Sequence, residues 1–235
     1  MPDDKLKSYL HFHFIVFLWG FTAVLGSIIT LDAIPLVWYR MLLASGFILV
    51  WIKWKNEDLR VSPRKFLVLV IAGIVIALHW LTFFGAIKVA NVSITLALLS
   101  TGAFFTSILE PIFYKRKLVG YEVVFGLIVI VGLYIIFKVE TDHYMGIILA
   151  LISAFLSAVF TLINGKLVKQ AAPSVISFYE LFTGVVAISI YLLVITIISD
   201  GARGFGPAFF VLSATDWIYL LILASICTAY AFIIS

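Results

Sequence analysis

Arg40 is the side chain best placed to do chemistry, because it lies inside an otherwise apolar stretch of a chain with few charges to spend. A guanidinium there can hold a carboxylate or phosphate through two parallel N–H bonds. The bland alternatives are a structural partner, or a long stem that carries the charge to a membrane interface. Glu180 is a second charge in an apolar stretch; it suits a proton or a substrate amine, or else an ordinary capped position near an interface. His79 can exchange a proton near neutral pH or serve as a hydrogen-bonded packing residue. Trp80 and Trp19 offer flat apolar walls for a cavity. Thr22, Thr95, Ser100 and Asn164 add hydrogen-bonding groups. Together Arg40, Trp19, Thr22, His79, Trp80, Thr95, Ser100, Asn164 and Glu180 are the candidate substrate-binding residues.

The elements that must position them follow from composition. Of 235 residues, 64% are hydrophobic and 12% charged, and the mean hydropathy is +1.20. A water-soluble domain is thereby excluded. Apolar runs of about 18 residues or more read as helices that cross a bilayer, and in lipid a helix satisfies its own backbone. The segments are too long and too uniformly apolar for a transmembrane barrel. The reading is all-α, a polytopic transmembrane helix bundle of about eight spans. They run approximately Tyr9–Ile29, Pro35–Ile52, Phe66–Ile87, Val92–Tyr114, Tyr121–Phe137, Tyr144–Gly165, Pro173–Ile198 and Trp217–Ile234. Arg40 then sits roughly 8 Å of rise inside the second helix, and a direct bridge to Glu180 is not expected without movement.

Twelve Lys and Arg fall on one set of loops with the N-terminal tail, and only Lys88, Lys138 and Arg203 fall on the other. The positive-inside rule puts the N-terminus in the cytoplasm, in a cell (inner) membrane protein. The first run exceeds a signal-peptide core of 7–15 residues, roughly. The single cysteine, Cys227, excludes an internal disulfide and reads as packing. Nothing in the charge pattern points to nucleic acid.

Two stretches resemble each other. Phe21-Thr22, then Pro35 and Tyr39-Arg40, are echoed by Phe160-Thr161, then Pro173 and Tyr179-Glu180. Five helices separate the copies, so they enter the membrane in opposite directions, as in the inverted repeats of many carriers. Residues 1–138 form the first repeat. Residues 139–235 form a second that stops after three helices, so a longer ten-helix parent is expected. Ala150, Ser153, Ala154, Ser157, Ala158 and Thr161 line one helix face with small side chains suited to close packing. Pro111 is expected to kink the fourth helix by freeing the carbonyl of Ser107. Glu110 is expected to pair with Lys115 or Lys117. Trp38, Trp51 and Trp54 read as interface anchors.

Several motifs, taken in order, carry a family resemblance. They are Trp19-Gly20-Phe21-Thr22, Pro35 through Arg40, and Gly85-Ala86-Ile87-Lys88-Val89-Ala90-Asn91-Val92-Ser93. Glu110-Pro111, Glu122, and Gly126-Leu127-Ile128-Val129-Ile130-Val131-Gly132 follow. The chain resembles the drug/metabolite transporter superfamily, and within it the EamA-like permeases. The resemblance implies two five-helix bundles around a central cavity with alternating access, moving small metabolites such as amino acids. One departure is the basic run Lys115-Arg116-Lys117, where the family carries an acidic residue. A small-molecule substrate and the lipid bilayer are the expected partners, a homodimer stays open, and no cofactor is expected. No phosphate loop is present, and His11 and His13 do not make a metal site. The rival readings are an intramembrane enzyme using outer-side carboxylates, of which Asp32, Asp142, Asp200 and Asp216 are the candidates, and a non-transporting membrane fragment.

Overall fold

A computed structural model describes residues 2–137, 143–199, 201 and 203–234. Among them the chain is helical with no strand. The helices are α1 (Pro2–Ile28), α2 (Ala33–Lys55), α3 (Pro63–Val89), α4 (Val92–Leu99), α5 (Gly102–Tyr114), α6 (Gly120–Phe137), α7 (Tyr144–Leu167), α8 (Pro173–Ile198), α9 (Ala214–Ala224) and α10 (Ala231–Ile234). Among the described residues seven segments are long and apolar enough to span a membrane, with α4 and α5 forming one of them and α9 through α10 another. The expected span Tyr121–Phe137 is a shorter apolar helix over Gly120–Ile135. This is a multi-pass membrane bundle. Lys138, Asp142 and Asp200 lie outside the described residues.

Local chemistry sets the ends. Pro63 and Pro173 open α3 and α8, where a missing N–H costs nothing and φ is already helical. The Asn91 side chain accepts from the Ile94 N–H at 2.8 Å to open α4. Ser213 and Asp216 form a capping box that opens α9. Asn56 ends α2 with φ 52°, a left-handed conformation that asparagine tolerates better than most residues.

Two spans expected as single helices are interrupted. Between α4 and α5 the Ser100 and Thr101 hydroxyls donate to the carbonyls of Ala97 and Leu98, both at 2.6 Å. Their own N–H groups bond to the same two carbonyls. Hydroxyl competition of this kind tightens and breaks a helix. Pro111 itself lies within α5. In the last span, Ser225–Tyr230 forms a π-helical turn between α9 and α10. There the Thr228 hydroxyl donates to the Leu223 carbonyl five residues back, at 2.7 Å. Such turns concentrate at functional sites.

The core is centred on α3, which packs against α7, α8 and α2. The largest buried cluster joins α2, α3, α8 and α9 through Leu36, Ile48, Phe84, Leu181, Leu220 and Leu223. On α7 the small residues Ala150, Ser153, Ala154 and Ala158 are buried, as their spacing predicts, and α3 lies against this helix. Gly73 lets α3 and α8 touch at the backbone, since a Cβ there would lie 2.5 Å from the Glu180 carbonyl oxygen. Gly73→Val is expected to force those helices apart and cost about 1–3 kcal/mol. Urea or SDS unfolding in micelles checks it, and an unchanged midpoint rejects the close-contact account.

Candidate functional site

Arg40 lies seven residues into α2, about 10 Å of rise from Ala33, and is 2% exposed. Its guanidinium is held from two sides. Nε donates to the Thr228 hydroxyl at 2.8 Å, and the Trp80 ring lies beneath the guanidinium carbon at 3.7 Å from its centroid. Phe84 is further off, at 5.5 Å. Nη1 is buried with no hydrogen-bond partner. Among the described residues no carboxylate lies within ion-pair distance of it; the ion pairs found belong to Arg116. The π turn is what brings Thr228 here, because it displaces the helix from regular spacing and turns that hydroxyl toward α2.

Arg40 lines a cavity of about 210 Å³. That is the liquid volume of about seven waters. Trp19 and Thr22 reach it from α1, His79, Trp80 and Phe83 from α3, and Leu99 from the end of α4. Ser157, Phe160 and Thr161 come from α7 and Phe232 from α10. Phe232 packs edge-on against Trp80 and lies close to Phe160. The result is a largely aromatic chamber with one buried cation and a few hydroxyls. Apolar walls with sparse, placed polar groups are the usual make-up of a small-molecule site. Two larger grooves, about 540 and 340 Å³, lie elsewhere, one between the α2–α3 loop and Tyr179 and the other between α3 and the end of α7. They present Arg60, and Arg64 with Lys65 and Lys166, and no buried charge.

Five of the nine expected site residues therefore meet: Arg40, Trp19, Thr22, His79 and Trp80. His79 is also pinned, with Nδ1 at 2.9 Å from both the hydroxyl and the carbonyl of Ser153 on α7. The other four lie apart from the cavity lining. The Thr95 hydroxyl donates back to the Asn91 carbonyl at 2.8 Å, and Ser100 is exposed at the α4–α5 break. Asn164 and Glu180 face each other between α7 and α8, with Asn164 Nδ2 donating to Glu180 Oε2 at 3.4 Å. Phe83, Phe160, Phe232 and Thr228 were not anticipated, because phenylalanine and threonine in apolar helices carry no signal of which way they face.

Several charges outside the cavity have structural occupations. Glu110 pairs with Arg116 at 2.8 Å rather than with Lys115 or Lys117, and Arg116 also reaches Glu122 at 3.0 Å. Lys115 adopts φ 54°, and that left-handed turn sends the next side chain back between α5 and α6. Both carboxylates hold the Arg116 guanidinium above its ordinary pKa by hydrogen bonding and charge. Asp216 is committed as well. Its carboxylate accepts from the Thr30 N–H at 2.8 Å and the Thr30 hydroxyl at 2.7 Å, and from the Ser213 hydroxyl at 2.6 Å. The Lys88 ammonium donates to the neighbouring Ile29 carbonyl. Trp38 donates to the Ser189 hydroxyl at 2.8 Å and packs on Phe205 and Phe209, so it is knitted into the bundle rather than set at its rim as an anchor.

Comparison with known proteins agrees with this architecture. An uncharacterized transporter of Archaeoglobus fulgidus is 26% identical over 211 residues, which is 87% of this chain and 69% of that protein. A solved crystal structure superposes with a TM-score of 0.68 at 13% identity, covering 97% of this chain and 77% of the other, and speaks to the fold alone. The model of the EamA-like transporter family matches residues 6–138, the stretch that carries α1 through α6, Arg40 and the Trp80 platform. With that match over more than half its length, the chain belongs to the EamA-like transporter family.

Proposed function

We propose that this protein is a secondary carrier for small metabolites bearing a carboxylate, amino acids among them, and that the Arg40 cavity is its binding site. The observation that carries the reading is that Arg40, which lines an aromatic chamber, is a buried cation braced by Thr228 and Trp80 and left with Nη1 unpartnered. A cation taken out of water is costly unless something pairs with it, and an anionic ligand supplies that pair. Membership of a transporter family gives the site its purpose.

In this proposal residues 1–138 and 139–235 are two inverted repeats, and the cavity opens to one side of the membrane and then the other as they rock. The N-terminus is cytoplasmic and the membrane is the cell (inner) membrane. The twelve-to-three bias of basic residues supports that direction. Asp216, one of the carboxylates an intramembrane enzyme would need, is taken up by the α9 cap and Thr30.

Reconstitution tests the proposal. Proteoliposomes preloaded with unlabelled phenylalanine or 3-phenylpropionate are expected to show saturable counterflow of the same labelled compound. Absence of counterflow across a panel of carboxylates, with turnover of an added lipid, sinks the carrier reading. Trp80 and Trp19 line the cavity, so binding is also expected to change tryptophan emission in a saturable way.

A further inference from the structure

The Asn164–Glu180 pair is the part of the molecule that the cavity does not use. Glu180 is 0% exposed, about 10 Å of rise into α8 from Pro173. Its one hydrogen bond is the long 3.4 Å contact from Asn164 Nδ2 to Oε2. Glu180 Oε1 and Asn164 Oδ1 are both buried and both lack a partner. Two unsatisfied acceptors in one dry place is an unusual arrangement, since buried polar atoms are almost always paired. Gly73 of α3 closes against the Glu180 backbone, so the setting is tight.

Among the described residues no cation relieves this charge, and the titratable groups on the elements around it are occupied elsewhere or lie exposed. Arg40 on α2 is bound to Thr228 and Trp80, and Lys53 and Lys55 at its end are exposed. His79 on α3 is bound to Ser153, Lys65 to the Gln170 carbonyl and Lys88 to the Ile29 carbonyl, while Arg64 is exposed. On α7, Lys166 reaches the Phe113 carbonyl, and on α5, which packs against α7, Tyr114 donates to the Leu162 carbonyl and Glu110 pairs with Arg116. Tyr179 donates to the Leu59 carbonyl, and α10 carries no titratable side chain. Three side-chain oxygens are too sparse a shell for a metal cation, which takes about six oxygen ligands or more. One proton meets both deficits. It cancels the charge, and it converts an acceptor of the carboxyl into a donor.

We propose that Glu180 and Asn164 form a binding site for one exchangeable proton, separate from the Arg40 cavity. The proton bonds to a carboxyl oxygen of Glu180 and leaves to water when the helices part. The connection to the cavity runs through α7. Ser157, Thr161 and Asn164 follow one another at spacings of four and three, which places them on one helical face. The first two line the cavity, and the third touches Glu180. Losing the proton leaves a bare carboxylate that needs donors or water, so it drives α7 away from α8 and moves the cavity wall with it. This coupling rests on the carrier reading; the proton site itself does not.

Infrared spectroscopy of the chain in lipid nanodiscs reads the site directly. At neutral pH the carbonyl band of a protonated carboxyl is expected, shifting in D2O, absent in Glu180→Gln and kept in Glu110→Gln. Should Glu180→Gln fail to fold, Asn164→Ala serves, because loss of its amide contact is expected to move the frequency of that band. A wild-type spectrum without the band, or a band indifferent to both changes, overturns the proposal. So does a band abolished when sodium chloride replaces choline chloride, which would mark a metal cation. In proteoliposomes an imposed pH gradient is expected to change 3-phenylpropionate uptake several-fold in the wild type and not in Glu180→Gln. An equal response in both overturns the coupling. No uptake in either, with the infrared band in place, overturns the coupling to 3-phenylpropionate transport and leaves the proton site supported; the carboxylate panel then decides the carrier reading.

Discussion

Arg40→Ala is expected to remove carboxylate binding while leaving the bundle folded. Losing one partner of a buried, hydrogen-bonded charge pair costs about 2–5 kcal/mol of binding, so affinity falls by about thirtyfold at the least. The effect on stability is small because opposing terms cancel. The variant gives up the contact with Trp80, worth about 0.5–2 kcal/mol, and the bond to Thr228. It also removes a cation with an unsatisfied Nη1 from the interior. Arg40→Lys is the sharper test of mechanism. It keeps the charge but loses the flat surface that stacks on Trp80 and the fork that meets a carboxylate with two bonds. Binding by that variant is expected to fall nearly as far as in Arg40→Ala. Tryptophan-fluorescence titration and ligand-induced thermal shifts in micelles measure both variants against the parent. An equal ligand response in Arg40→Ala and the parent rejects the assignment.

Asp216→Ala is expected to give the largest loss of stability. This carboxylate is 2% exposed and serves two structures together. It completes the capping box that opens α9, and it ties that end to the α1–α2 link through Thr30. Ser213 remains as the N-cap; what is lost is the two part-buried hydrogen bonds from Thr30 to a carboxylate, worth about 1.5–3 kcal/mol each. A combined loss of about 3–4 kcal/mol follows from the lower part of that range. Asp216→Asn keeps an oxygen for Thr30 and is expected to lose about half as much. Reversible SDS unfolding in mixed micelles provides the comparison. A loss below about 1 kcal/mol, smaller than a single buried hydrogen bond usually carries to a charged group, contradicts the anchoring role.

The two variants act at different places, and that separation is itself informative. Thr30 and Asp216 join at the end of the bundle that carries the α1–α2 link. Tyr39 stacks on Phe209 and meets Trp217 edge-on, so an aromatic layer lies between that end and the next residue, Arg40. A variant that loosens the anchor is expected to change access to the cavity as well as stability, whereas Arg40→Ala changes what the cavity can hold.

Hydropathy and charge placement were enough to establish a multi-pass helical bundle, because solvation by lipid demands long apolar helices irrespective of how they pack. Arg40 was legible for a related reason: a charge that lipid penalises stands out among neighbours that it does not. Trp80, His79, Trp19 and Thr22 were legible as polar or aromatic members of the same stretches, and they do meet at the cavity. What joins them was not. The bond from Arg40 to Thr228 spans 188 positions and depends on a π turn that no apolar periodicity announces. The breaks at Ser100-Thr101 and Ser225–Tyr230 arise from hydroxyls choosing backbone carbonyls, a choice settled by packing around each turn. Glu180 and Asn164 illustrate the same division. Their polarity was plain in the sequence, but only the packing of both α7 and α8 against α3 decided that they face each other and not Arg40. Composition determines which residues must be sheltered from lipid; only the tertiary structure decides which of them shelter one another, because helix rotation and register are set by contacts far apart in the chain.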